Sequence, residues 1–231
     1  MDPAANHGER DHLHERAIVP QPRSIGGVDH YFTSKPAGER TTIRVTLGGE
    51  PREIVTARGV FSGERLDPGT RALIEHAPDP RGLTVDLGCG WGPLALDAAL
   101  RNPQVEIIAV DVNEAARELT AENAARLGLR ITTADPDAAL ALLGGRGIDH
   151  LISNPPIRVG KEQLHEILRK WLPRLSPGGA AYLVVSKNLG ADSLQRWIEG
   201  ELGQPCLRIA SQKGYRILEV TSATSTAGPV R

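Results

Sequence analysis

Asn154-Pro155-Pro156-Ile157 follows an apolar run, Ile148 to Ile152, and precedes a helix-like pattern. The Asn154 side-chain oxygen and the Pro155 carbonyl are acceptors suited to the hydrogens of a planar, conjugated amine. Gripping those hydrogens draws the nitrogen toward tetrahedral geometry and frees its lone pair for attack. Pro155 and Pro156 remove amide donors from the loop and stiffen it, so its carbonyls stay presented. Upstream, Asp86-Leu87-Gly88-Cys89-Gly90-Trp91-Gly92 joins a strand pattern to a helix pattern. Glycines there permit a sharp turn and close approach of a ligand to the backbone. Val110-Asp111-Val112 ends the next strand, where the Asp111 carboxylate can accept from both hydroxyls of a ribose. Pro93 occupies the slot where the dinucleotide fingerprint carries its third glycine. Close approach without a diphosphate site fits an adenosyl amino acid better than a nicotinamide.

The remaining candidates extend these three segments. Asp86 opens the turn and is expected to face a cationic amino group of the ligand, with Gly88, Cys89 and Gly90 beside it and Val112 following Asp111. Asp135 either accepts from an adenine amino group or caps the helix after Pro136. Ile157 stands where an aromatic would stack on a base, so its side chain packs on a base face without π-stacking, which argues against adenine-N6 chemistry. Arg158 and Lys161 are placed to hold phosphate, and His165, one turn further on, reads as a helix-surface residue. The bland alternatives are a glycine turn of another nucleotide fold and a merely proline-stiffened strand exit.

These residues need a frame that brings three strand ends together. From Leu83 onward strand and helix patterns alternate: strands at Leu83–Leu87, Val105–Val110, Ile131–Thr133, Ile148–Ile152, Ala180–Val185, Leu207–Ala210 and Arg216–Val220, with helices between. That alternation predicts an α/β fold, a doubly wound, seven-stranded, mostly parallel sheet of Rossmann-like type with helices on both faces. The short link around Lys213-Gly214 makes the last two strands an antiparallel hairpin. Ser176-Pro177-Gly178-Gly179 is expected to stop a helix running from Glu162 to Leu175, and Thr70 to cap a short helix ending near Glu75. Alternation in Thr41–Leu47 and Arg52–Ala57 around Gly48-Gly49-Glu50-Pro51 predicts a β-hairpin ahead of the main domain. The expected division is a polar tail over 1–26, a hairpin extension over 27–60, the principal domain over 61–221 and a second tail over 222–231.

Composition bounds the partners. The 231 residues are 40% hydrophobic and 24% charged, with a formal net charge of -1, so any basic surface for a polyanion must be local. Cys89 and Cys206 imply neither a disulfide framework nor a metal site, which fits a cytoplasmic protein. His7, His12 and His14 lie in the first tail without a ligand partner at fitting spacing, so no metal is expected.

Together the segments resemble RsmC-like small-subunit rRNA guanine-N2 methyltransferases, class I enzymes of the MTS family, in their compact single-domain form. The resemblance runs from Tyr31-Phe32 through Gly59-Val60-Phe61-Ser62 and Leu66-Asp67-Pro68-Gly69-Thr70 to the glycine turn, Val110-Asp111-Val112-Asn113, Ser153-Asn154-Pro155-Pro156-Ile157-Arg158, Lys161 and Lys213-Gly214-Tyr215. It implies S-adenosylmethionine as cofactor, with Phe61 and Thr70 beside it, and rRNA or a ribosomal subunit as partner; the oligomeric state is left open, a monomer being favoured. Residues near Lys35, Arg40 and Arg44 are candidates for RNA contact on the hairpin. A protein side-chain amide, a DNA base or a small-molecule amine would suit the same loop, and a non-catalytic ribosome-associated module is the alternative of another class.

Overall fold

The computed structural model describes residues 38–60, 62, 65–155 and 160–223. A hairpin of β1 (Arg40–Leu47) and β2 (Glu50–Ala57) leads through α1 (Pro68–His76) to β3 (Leu83–Leu87), α2 (Pro93–Arg101), β4 (Glu106–Val110) and α3 (Glu114–Arg126). Then come β5 (Thr132–Ala134), α4 (Pro136–Leu143), β6 (Ile148–Ser153), α5 (Lys161–Trp171), β7 (Leu175–Ser186), α6 (Ala191–Trp197), β8 (Cys206–Gln212) and β9 (Tyr215–Thr221).

The main sheet has seven strands in the order β5-β4-β3-β6-β7-β9-β8. The pairs from β5 to β7 are parallel; β9 runs antiparallel between β7 and β8. The winding reverses at β3, so the carboxyl ends of β3, β4 and β6 frame one crevice. Period-two alternation divides each central strand between two cores. On β7, Ala181, Leu183 and Val185 join a cluster with Leu164, Leu168 and Trp171 of α5, while Ala180, Tyr182 and Val184 face Leu73 of α1 and Leu94 of α2.

Three expectations need correction. Helix α5 ends at Trp171, and Leu172–Arg174 form a 3₁₀ turn, because Pro173 can neither donate to nor fit beneath the preceding turn. The Ser176-Pro177-Gly178-Gly179 segment does not end a helix; it is part of β7, where the register with β6 shifts between Ile148 and His150. Thr70 is not the cap of α1. Asp67 is, its side chain accepting from the Thr70 N–H, with Pro68 opening the helix.

The hairpin is built onto the sheet rather than hung from it. Leu47, Ile54, Ala57 and Val60 share a core cluster with Trp91 and Leu96, so the boundary expected at residue 60 passes through packed side chains. Two buried polar residues tie it down. Asn123 of α3 accepts from Val55 N at 2.8 Å and donates to Val55 O at 2.9 Å and Trp91 O at 3.1 Å. Asp97 of α2 accepts from Gly48 N at 2.8 Å. Among the described residues no helix is long and apolar enough to cross a membrane.

Candidate active site

The glycine turn folds over the carboxyl end of β4. The N–H groups of Gly88 and Cys89 both donate to Val110 O, at 2.8 and 3.0 Å. Gly88 (φ 80) and Gly90 (φ 59) take left-handed backbone, and a Cβ added to either would meet no atom within 4 Å. The space above them is open, and the bare backbone can be approached closely. Cys89 is buried, takes a hydrogen from Thr120 at 3.5 Å, and burial pushes its thiol well above the ordinary range. It therefore offers van der Waals surface and no nucleophile.

Three carboxylates follow, each in a different state. Asp86 is fully buried. Its Oδ2 accepts from Ala95 N at 2.9 Å, serving the first turn of α2, whose cap Gly92 has no side chain. Its Oδ1 has no hydrogen-bond partner among the described residues, and burial pushes the carboxyl up to about 8. An orphaned buried oxygen of this kind suits a cationic group brought alongside it. Asp111, past β4, accepts from Gly90 N and Asn113 N, both at 2.9 Å, one on each oxygen, and burial raises its carboxyl above the usual range. Each oxygen retains a second lone pair for a ribose hydroxyl. Val112 beside it is 44% exposed, an apolar face left bare at the crevice. Asp135 caps α4, one oxygen accepting from Asp137 N and Ala138 N at 2.9 Å each; these bonds hold its carboxyl below the usual range. Of the two expected roles, the cap is present in the structure.

At the end of β6, Ser153 donates from Oγ to Leu87 O at 2.7 Å and pins β6 against the start of the glycine turn. Asn154 follows at once. Its Nδ2 donates to Asp67 Oδ2 and to Thr70 Oγ1, both at 2.9 Å. The amide hydrogens are thus committed to α1, and the Asn154 oxygen is the atom left for another partner. Pro155 is buried behind it. Ser62, Asp67, Thr70, Gly88, Gly90 and Asn154 line one cleft. Trp91 backs it, donating from its indole to Ser62 O at 3.3 Å.

The structure therefore brings together Gly88, Cys89, Gly90, Asp111, Thr70 and Asn154. Asp86 lies beneath the turn, buried; Lys161 stands exposed at the start of α5. Phe61, Pro156, Ile157 and Arg158 lie outside the described residues, as do the 1–26 tail and Lys35. His165 is not a surface residue. It is buried and stacked on Trp197, ring centroids 3.7 Å apart, with the Arg169 guanidinium over the same indole at 5.1 Å. Arg40 of the hairpin is engaged with Glu122 at 2.5 Å, while Arg44 is exposed. Sequence reasoning missed Asp67 as a site residue, although it lay in the quoted Leu66-Asp67-Pro68-Gly69-Thr70 segment. An Asp-Pro pair opening a helix was the available signal.

A doubly wound sheet with this turn, acid and Asn-Pro exit at its switch point is a Rossmann-like α/β methyltransferase fold. The chain belongs to the methyltransferase small domain family, which it matches over residues 51–219. It is 32% identical over 196 residues to the Bacillus subtilis (strain 168) uncharacterized protein YbxB, covering 83% of this chain and 97% of that one. It is 34% identical over 202 residues to ribosomal RNA small subunit methyltransferase C of Pseudomonas entomophila (strain L48), covering 84% of this chain but 58% of that relative. The Thermus thermophilus 16S rRNA N2 G1207 methyltransferase, solved with AdoMet and guanosine, superposes with a TM-score of 0.68 at 22% identity, covering 79% of this chain and 50% of that one. The chain thus spans little more than half the length of these rRNA methyltransferase relatives.

Proposed function

We propose that the protein methylates an exocyclic amine of ribosomal RNA, a guanine N2, using S-adenosylmethionine. The observation that carries this reading is the Asn154 amide, held by Asp67 and Thr70 so that its oxygen is free beside the open glycine turn. S-adenosylmethionine, when bound, supplies a methyl group on a sulfonium whose leaving group is a neutral thioether. The residues present fit it. Gly88 and Gly90 leave the backbone bare, Asp86 has an unpartnered oxygen for an ammonium, Asp111 has lone pairs for the ribose, and exposed Val112 offers an apolar face for adenine.

The chain's own part is positioning. Asn154 Oδ1 accepts one hydrogen of the target amine and the Pro155 carbonyl a second, turning the lone pair toward the methyl group. S-adenosylmethionine held there would supply the methyl group for this nitrogen, and the amine proton would leave to water. Lys187 and Lys213 favour a phosphate-bearing acceptor. Both are exposed beyond the end of β7, the strand next to β6, where Lys187 N donates to Gly214 O at 2.8 Å, and neither has an ion pair among the described residues. Lys161 adds a third exposed charge.

The test is transfer of labelled methyl from S-adenosylmethionine to ribosomal subunits of a deletion strain, compared with free protein, DNA and small amines. The expected product on nucleoside digestion is N2-methylguanosine. Label confined to protein or DNA would move the acceptor elsewhere, and no cofactor binding by calorimetry would leave a non-catalytic module.

A further inference from the structure

We infer that Asp67 is a positioning residue that locks the Asn154 amide with its oxygen toward the acceptor, and so restricts the site to acceptors that donate through NH groups. The inference rests on the role proposed above for Asn154. The Oδ2 of Asp67 accepts from Thr70 N and from Asn154 Nδ2, each at 2.9 Å, and Thr70 Oγ1 takes a hydrogen from the same Nδ2 at 2.9 Å. The Asp67 oxygen already serves as acceptor to Thr70 N, so the atom facing it is the amide nitrogen. Reversing the amide would set two acceptor oxygens against each other at Asp67; the Thr70 hydroxyl can donate or accept, so the carboxylate is what fixes the orientation. The orientation at the strand end is therefore decided by a residue 87 positions away in the chain. An acceptor presenting a ring nitrogen or a carbonyl finds no donor from this side chain, whereas an NH2 group finds an acceptor.

Asp67 is itself rigidly placed. It caps α1, Pro68 opens the helix, and Gly69 passes beneath Tyr215: a Cβ there would lie 2.8 Å from Tyr215 Cε1 and 3.0 Å from Asp67 Oδ2. The four residues Asp67-Pro68-Gly69-Thr70 thus each serve one geometry: cap, helix start, clearance under β9, and second partner for the amide.

Asp67→Ser separates capping from positioning, because serine still caps Thr70 N but is too short to hold Asn154. The expected result is a kcat for label transfer to ribosomal subunits lower by about 10- to 100-fold. KM, cofactor Kd and melting temperature should stay close to wild type. Asp67→Asn, whose amide oxygen can take the same two hydrogens from Thr70 N and Asn154 Nδ2, should keep most of the turnover. In ¹⁵N-labelled protein the Asn154 side-chain NH2 should be protected from solvent exchange, and Asp67→Ser should remove that protection; this readout stands whatever the acceptor is. Wild-type turnover in Asp67→Ser beside an inactive Asn154→Ala would overturn the positioning role while leaving the role of Asn154 intact. Full turnover in Asn154→Ala would overturn both. Loss of cofactor binding in Asp67→Ser and in Asp67→Asn alike would make Asp67 a scaffold residue only.

Discussion

Asp111 carries two tasks on one carboxylate. Its oxygens hold Gly90 N and Asn113 N, so it shapes the glycine turn and the cap of α3 before it meets any ribose. Asp111→Ala is expected to weaken cofactor binding by about 2–3 kcal/mol, through two lost charge-assisted hydrogen bonds. It should also lower the melting temperature, because two backbone donors lose their partner. Calorimetric titration beside a thermal melt tests this, and unchanged affinity would remove the ribose assignment. Asn154→Ala should behave oppositely: most of the turnover lost, cofactor affinity nearly intact, as single-turnover and binding measurements can separate. Equal loss of affinity would make Asn154 a cofactor residue. The contrast follows from placement, Asp111 under the turn and Asn154 across the cleft from it.

At the scale of elements, the hairpin β1–β2 supports the cleft by gripping its back wall. Asn123 joins β2 to the Trp91 carbonyl, and Trp91 in turn bonds Ser62 at the cleft edge. Asn123→Ala leaves Val55 N, Val55 O and Trp91 O unsatisfied in a buried site, which should cost about 2–4 kcal/mol. Urea unfolding would measure the loss, and hydrogen exchange should quicken in β1 and β2 first. An unchanged midpoint would mean that the hairpin is docked without Asn123, by apolar packing and the Asp97–Gly48 bond. The hairpin pattern was legible in Ile43, Val45 and Leu47, but nothing local in Asn123, 68 residues from Val55, announced the clamp. Likewise the helix α1 was foreseen and its cap misassigned, because Asp67 and Thr70 are both good capping residues and only the helix register distinguishes them.

For the molecule as a whole, two buried groups set opposing pH slopes. Burial lowers His150, inside the sheet on β6, to about 4 from an ordinary 6.5. Between those values the unfolded chain binds the proton and the folded one does not, so stability rises with pH. Asp86, raised to about 8 from 3.8, does the reverse: the folded protein holds its proton more tightly, and stability falls as pH rises through that window. From about pH 4 to 6.5 the two contributions largely cancel. From about 6.5 to 8 only that of Asp86 remains, and the cofactor-free protein should lose about 2 kcal/mol, at 1.4 kcal/mol per unit. Chemical unfolding across pH 6.5–8 tests the decline, which Asp86→Asn should flatten. Stability that instead stays flat from pH 6.5 to 8 would show that water or an ion reaches the orphan oxygen.

The sequence by itself determined the strand-helix alternation, the parallel sheet with its antiparallel end, the glycine turn, the acid after β4 and the Asn-Pro exit after β6. These depend on period, punctuation and residue chemistry within a few positions, which a linear reading can capture. Only the tertiary structure decided which way the Asn154 amide points, which oxygen of Asp86 is left alone, that His165 is buried under Trp197, and that Ser176–Gly179 belong to a strand. Each of those depends on atoms brought together across tens of residues. The Asn154 amide has a donor NH2 at one end and an acceptor oxygen at the other, and it is the carboxylate of Asp67, folded against it by α1, that fixes which end faces the cleft.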